Sequence, residues 1–417
     1  MVAAMGAHSS RREAAATAAA TEVVIVGGGM VGLSLACALG QAGIATAVID
    51  RAAPAAQIAP ASDGRVSALA AGSVRLMRTL GVWPGIAAEA EPILEIRVSD
   101  GDSPRHLHYD HRALGTEPLG VIVENQVLRR ALAARVAAID AVAHHAPAEV
   151  AHVTRDGYGV RAALADGRSL RARLVIGADG VHSPVRAGAG IGGVRRAYRQ
   201  TAIVCTVAHA RPHRGIAQER FLAAGPFAIL PMTGRRSSLV WTERADLAPA
   251  LLALDEAAFA DELAWRFTDY LGELRPEGPR WSYPLAIQRA GRTTEARLAL
   301  VGDAAHAIHP IAGQGLNLGL RDVAALSQAV IDAARLGLDV GAAPVLESYA
   351  RARSFDTVSM SLVTDGLNRL FSNDSAPLRL ARDLGLAAVN RAPPLKRLFM
   401  RHAMGLIGTQ SSERLAD

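Results

Sequence analysis

Between Glu22 and Asp50 the chain reads EVVIVGGGMVGLSLACALGQAGIATAVID, a β-branched run, three glycines, a helical apolar pattern and a second β-branched run. The glycines fall as Gly27-x-Gly29-x-x-Gly32. The first permits a tight turn, the second lets a pyrophosphate approach the backbone, and the third lets helix and strand pack closely. The N–H groups and dipole of the opening helix then face the phosphates, and Asp50 ends the next strand where ribose hydroxyls would lie. A unit of this kind commits the chain to a parallel sheet covered by helices and points to dinucleotide binding. A second match, Gly188-x-Gly190-x-x-Gly193, follows no strand and opens no helix, so it reads as a loop.

Two later runs, RARLVIGADG (171–180) and ARLALVGDA (296–304), also pass from apolar residues into glycine and aspartate, and each predicts a strand ending at the sheet's carboxyl edge. From about Tyr198 to Tyr283 the pattern changes to short alternating segments broken by Gly and Pro, the mark of an antiparallel layer. Helical spacing returns over 316–336 and 345–371. No repeat of 20 to 50 residues is visible.

The 417 residues are 50% hydrophobic, enough to build a buried core and to exclude disorder over most of the length. The net charge of +6 invites a nucleic-acid reading, but its location argues otherwise. Between Leu378 and Gly408 stand Arg379, Arg382, Arg391, Lys396, Arg397 and Arg401 against Asp383 alone, so nearly all the excess sits in one segment. No broad basic face for nucleic acid is implied. Cys37 and Cys205 are too few for a disulfide framework and fit a reducing compartment. No apolar run is long enough to span a bilayer. The Ala-rich residues 1–20 read as a tail rather than a signal peptide, so the expected location is cytoplasmic.

A third motif runs from Gly302-Asp303 through HPIAGQGLNLGLRDV (309–323). A strand ends in a carboxylate, a proline loop follows, and glycines lead into a helix. Asp303 is placed to face a cofactor's sugar-like chain. Gly313, Gln314, Gly315 and Leu316 offer backbone N–H groups and a helix dipole to an anionic ring.

Together, Gly27–Gly32, the segment Asp179-Gly180-Val-His-Ser183-Pro-Val-Arg186 and Gly302–Gly319 resemble the flavin-dependent aromatic hydroxylases of the para-hydroxybenzoate hydroxylase type. DGRVSAL (63–69), GPFAILP (225–231) and 309–323 are similar to the ubiquinone-biosynthesis branch, the 2-polyprenyl-6-methoxyphenol hydroxylase-like enzymes. The likeness spans about residues 21–375. It implies FAD as cofactor, with NADH or NADPH as transient reductant and O2 as co-substrate. The pyrophosphate would lie on Gly27, Gly29 and Gly32, the adenosine ribose on Asp50 beside Arg51, and the ribityl chain on Gly302-Asp303. Arg65, Arg129, Asp179 and Gly180 would line the cofactor. Pro310, Gly313, Gln314, Gly315, Leu316 and Asn317 would border the isoalloxazine ring. Asn125 stands where related hydroxylases place a cofactor-contacting glutamine. No catalytic acid or base is assigned.

The implied activity is hydroxylation of a polyprenylated phenol in ubiquinone biosynthesis by way of a flavin hydroperoxide. The alternatives are a hydroxylase of small soluble phenols in aromatic catabolism and a non-catalytic flavoprotein subunit of a biosynthetic complex. The tryptophan signature of flavin halogenases is absent.

The expected architecture is a mixed α/β fold. A Rossmann-like FAD-binding domain occupies 21–195 and 286–340, an antiparallel β-sheet substrate domain 196–285 and a helical region 341–417. The basic amphipathic segment 378–408 reads as a peripheral contact with the inner face of the cytoplasmic membrane or with other ubiquinone-biosynthesis proteins, the alternative being a helix docked on the body with its arginines in water. His306 and His309 lack acidic or thiol partners at ligand spacing, so no metal is expected, and one of them could face the flavin cavity. His106, His108, His111 and His144-His145 read as solvated. Cys37 reads as core filling, and Cys205 as a residue of the antiparallel layer.

Overall fold

The computed structural model describes residues 21–59, 63–101, 106–267, 270–309 and 313–354, with Arg397 and Met404. The segment 378–408 otherwise lies outside the described residues, as do Pro310 and the tail 1–20.

The glycine motif builds the centre of a six-stranded sheet. Its strand order is Thr294–Glu295, Leu298–Leu300, Leu174–Gly177, Val23–Val26, Thr46–Ile49 and Val142–His145, parallel except at the Thr294–Glu295 edge. Val23–Val26 and Thr46–Ile49 are buried throughout, as strands covered on both faces must be. Helices Met30–Gln41, Asn125–Ala137 and Gln314–Arg335 pack on one face through Leu35, Leu39, Leu128, Leu132, Val323 and Val330. The run expected to end at Gly177 pairs parallel with the first strand and the run ending near Gly302 pairs parallel with it in turn, so Gly27, Asp179 and Asp303 share one sheet edge.

The antiparallel layer is an eight-stranded sheet. Its order is His306–Ala307, Leu274–Ala290, Gly193–His209, Arg236–Arg244, Gly225–Met232, Ile216–Leu222, Glu95–Asp100 and His106–Asp110. Two features correct the sequence reading of this region. The stretch 198–283 contains two helices, Ala248–Leu252 and Glu256–Phe267, which cover one face of the sheet. They bury Phe259, Leu263 and Phe267 against Ile203, Phe227, Leu239 and Trp241, and Cys205 belongs to this apolar cluster. The sheet also recruits Glu95–Asp100, which pairs parallel to Ile216–Leu222 from more than a hundred residues away in sequence.

Among the described residues there are also two small sheets. Val66–Ala70, Gly120–Glu124 and Glu91–Ile93 form an antiparallel trio beside the cofactor edge. Val150–Arg155, Val160–Leu164 and Ser169–Ala172 form another on the far side. Met404 is buried among Ala71, Leu119, Ile122 and Met232, and its carbonyl accepts a hydrogen bond from Gly72 N–H at 3.0 Å. That contact places at least this residue of the C-terminal region on the body.

Candidate functional site: a dinucleotide cleft between two sheets

The glycine loop closes so tightly that side chains are excluded at two of its positions. Gly27 has φ +110°, and a Cβ there would lie 2.3 Å from the carbonyl oxygen of Ala178. A Cβ on Gly32 would lie 2.0 Å from the carbonyl oxygen of Gly27. Gly29 is different, since a Cβ there meets nothing within 4 Å. It is the N-cap of the Met30–Gln41 helix, which has no side-chain cap and no acidic residue in its first turn. Open space in front of an uncapped, positive helix end is the arrangement that accepts a phosphate. Asp50 is drawn into the same loop, with Oδ2 accepting from Gly28 N–H at 2.6 Å and Oδ1 from Ala52 N–H at 2.7 Å. Arg51 beside it is exposed.

Arg65 and Arg129 converge on Asp63, a residue the sequence reading quoted within DGRVSAL but gave no role. Asp63 is 3% exposed and accepts from Arg65 Nε and Nη2, both at 2.8 Å, from Asn125 Nδ2 at 3.0 Å and from Arg129 Nη2 at 3.2 Å. Burial pushes its carboxyl up, but hydrogen bonds and charge from Arg65 and the Asn125 amide outweigh that and hold it below the usual range. The Asn125 carbonyl accepts from Ser67 at 2.6 Å, so that side chain is spent on the network. Arg65 lies over the ring of Tyr283, 4.6 Å from its centroid, and Trp281 closes on Gly64. Both aromatics come from the strand Leu274–Ala290, so this contact joins the sheet to the cofactor body.

The Asp179 and Asp303 segments are tied to each other. Arg186 donates to the carbonyls of Ala304 at 2.7 Å and Val181 at 2.8 Å. Asp179 Oδ2 accepts from Val185 N–H at 3.0 Å, while Oδ1 is buried with no hydrogen-bond partner among the described residues. Burial raises its carboxyl above the usual range despite Ser183 and Val185 N–H. Gly180 and Gly302 have φ of +80° and +58°, turns that favour glycine. Asp303 remains accessible from the cleft, yet protein encloses it at longer range. That desolvation lifts its carboxyl against the pull of His306 and Arg65.

Gly313, at φ +62°, opens the Gln314–Arg335 helix, again with no side-chain cap, and a Cβ on it would lie 2.9 Å from Ala68 Cβ. Gln314, Gly315 and Leu316 form the first turn of this helix. Asn317 has another task than the one expected of it. Its Oδ1 accepts from Ala70 N–H and Ser73 Oγ at 2.9 and 2.7 Å, and its Nδ2 donates to the carbonyls of Ala68 and Gly313 at 2.7 and 3.1 Å. It braces the helix start against Val66–Ala70. His306 and His309 are buried, the first against Asp322 and the second edge-on to Tyr198 at 5.1 Å. The cluster Glu95, His108 and Asp110 has ligand-like spacing, but Arg97 and Arg112 already neutralise its carboxylates. Gly188–Gly193 leads out of a short helix into the strand Gly193–His209, a connection and nothing more.

A glycine loop at a parallel sheet's carboxyl edge, two uncapped helix starts and an antiparallel sheet facing them define a flavoprotein of the FAD-binding monooxygenase fold. The open space at Gly29, and Asp179 Oδ1 and Arg129 Nε, which have no hydrogen-bond partner among the described residues, suit the phosphates and hydroxyls of FAD. Residues 20–355 match the model of the FAD binding domain. The chain is 55% identical to the ubiquinone hydroxylase UbiL of Rhodospirillum rubrum over 91% of its length and 88% of that protein's. It is 38% identical to the 3-demethoxyubiquinol 3-hydroxylase of Escherichia coli, covering 91% and 97% of the two chains. The p-nitrophenol 4-monooxygenase PnpA of Pseudomonas putida shares the fold, with a TM-score of 0.76 at 20% identity over 95% of this chain and 98% of that one. The chain belongs to the FAD-dependent hydroxylases of ubiquinone biosynthesis, oxidoreductases of the monooxygenase class. Among the described residues no helix is long and apolar enough to cross a membrane.

Proposed function

We propose that this protein uses FAD, NADH or NADPH, and O2 to hydroxylate the aromatic ring of a polyprenylated phenol on the route to ubiquinone. The observation that carries the reading is the 55% identity to a ubiquinone hydroxylase over nine-tenths of the chain, with an intact glycine loop and Gly302-Asp303 turn. FAD, once bound, would supply the redox chemistry of the reaction, hydride acceptance and O2 activation. The chain's own residues bind and orient. Gly27, Gly29 and Gly32 leave room for the pyrophosphate at the helix end, and Asp50 takes the ribose while fixed by Gly28. Asp303 takes the ribityl chain, and Asp179 and Gly180 border the cofactor. Arg65 and Arg129, which share the single carboxylate of Asp63 and so keep a net positive charge, line the cofactor, Arg65 near its phosphates. The N–H groups at Gly313–Leu316, held in place by the helix start, would favour negative charge on the ring. The eight-stranded sheet would help position the substrate and exclude water.

A polyprenyl tail stays in lipid, so the phenol is presented from a bilayer, and the basic segment 378–408 is the proposed contact with anionic headgroups or with neighbouring enzymes of the pathway. The test is purification in mild detergent, a visible spectrum, and NADH and NADPH oxidation with and without a prenylated phenol. A yellow protein yielding a product one oxygen atom heavier supports the assignment. Turnover only on small soluble phenols supports the catabolic alternative, and flavin without turnover on either overturns an independent catalytic role.

A further inference from the structure

We propose that Asp322 is the positioning residue of the Gly302–Asp303 turn, and that through this turn it governs how tightly the chain holds its cofactor. The inference rests on the reading that Asp303 faces FAD.

The turn is squeezed, and its downstream side is held by Ala305 N–H on the Gly302 carbonyl at 2.9 Å and by Arg186 on the Ala304 carbonyl at 2.7 Å. Gly302 sits at φ +58°, and a Cβ on it would lie 3.2 Å from Val31 of the glycine-loop helix. Gly319, one turn into the Gln314–Arg335 helix, closes on the same spot, with a Cβ there 2.7 Å from Val31 Cγ2 and 3.3 Å from Gly302 Cα. Two hydrogen bonds grip the backbone on either side of Val301. Gly302 N–H donates to Asp322 Oδ2 at 2.9 Å, and the Leu300 carbonyl accepts from the Tyr349 hydroxyl at 2.8 Å.

Asp322 is fully buried on the Gln314–Arg335 helix. Its Oδ1 accepts from Arg353 Nε at 2.7 Å, and Arg353, 4% exposed, comes from the same helical segment, 343–354, as Tyr349. His306 Nε2 lies 2.7 Å from Oδ2. Burial pushes the carboxyl up, and His306 and Arg353 more than offset that, keeping it below the usual range. Gly302 therefore donates to an anion, and a charge-assisted bond is roughly twice as strong as a neutral one. Asp322 reaches the cofactor only by fixing the backbone from which Asp303 projects.

The competing view is that Asp322 merely balances Arg353. Replacing a buried ion pair by apolar residues of similar size is often neutral or stabilising, which separates the two views. The experiment compares three variants as apoproteins, each titrated with FAD by flavin fluorescence and melted thermally. They are Asp303→Ala, Asp322→Leu with Arg353→Met, and Asp322→Asn with Arg353→Met. Both double variants lack the charge pair, but only asparagine retains an oxygen that can accept from Gly302. The expected result is a wild-type melting temperature for both, at least a tenfold rise in the FAD dissociation constant for the leucine variant, and recovery of most of that loss with asparagine. Equal FAD affinity in the two double variants overturns the proposal. Unchanged affinity in Asp303→Ala instead overturns the reading beneath it. If the leucine variant does not fold, the asparagine variant decides: near wild-type affinity supports the proposal, and a tenfold loss in a stably folded protein overturns it.

Discussion

Gly29→Ala and Gly32→Ala add the same methyl group three residues apart and should fail in different ways. Gly29 has φ −73° and ψ −179°, which alanine adopts freely, and the methyl meets nothing within 4 Å. Alanine restricts the unfolded chain, a gain of about 0.4–1 kcal/mol, and is a poorer N-cap than glycine by a comparable amount. The apoprotein should therefore change by less than about 1 kcal/mol. FAD binding should weaken at least tenfold, about 1.4 kcal/mol, because the methyl enters the space left for the pyrophosphate. At Gly32 the methyl would sit 2.0 Å from the Gly27 carbonyl oxygen and 3.3 Å from Ala178 Cβ. The helix must lift from the strand, an overpacking cost of about 1–3 kcal/mol that the better helix propensity of alanine offsets only in part. Gly32→Ala should thus lose stability and FAD together. Urea unfolding of the apoproteins, with FAD titration of each, separates the cases. If Gly29→Ala unfolds as readily as Gly32→Ala, or binds FAD like the wild type, the division of labour within the loop is wrong.

Asp63→Asn should make stability less dependent on acid. The depressed Asp63 carboxyl contributes stability above the ordinary aspartate range, lost as pH falls through its folded value. Urea midpoints of wild type and variant should therefore differ near neutrality and converge below about pH 4, the unfolded aspartate range; a constant gap would refute the charge argument. Asp303→Asn should do the opposite, because a raised carboxyl costs stability once pH passes its folded value. The variant apoprotein should melt higher at pH 7 and bind FAD more weakly, and a lower melting temperature would contradict this. Burial pushes the Cys37 and Cys205 thiols up to about 12, so a thiol reagent at pH 8 should label neither in the native protein and both after denaturation.

The glycine loop, Asp50 and the Gly302-Asp303 turn were legible because each is a local demand of the chain, a turn or strand end whose residue types follow from its own neighbours. The helix Glu256–Phe267 was equally local, with Phe259, Leu263 and Phe267 four residues apart. Strand-like segments on either side hid it. Asp63 is another kind of case. Its oxygens are claimed by Asn125, Arg129 and Tyr283, the last 220 residues away and delivered by the register of Leu274–Ala290 against Gly193–His209. No window of sequence contains that information, because a shift of one residue in the pairing would turn Tyr283 to the opposite face.

The same holds for Asp322. In sequence it is one polar residue on the inner side of an amphipathic helix, where an aspartate looks like a fault in the apolar pattern. It becomes intelligible only when the segment 343–354 brings Arg353 and Tyr349 to the turn. A fully buried carboxylate is costly unless its oxygens are satisfied, and here a backbone N–H, a guanidinium and an imidazole all converge on them. A buried charge at a predicted core position is thus itself a sequence signal. It says that partners exist, and that they come from elements whose packing the local pattern does not specify.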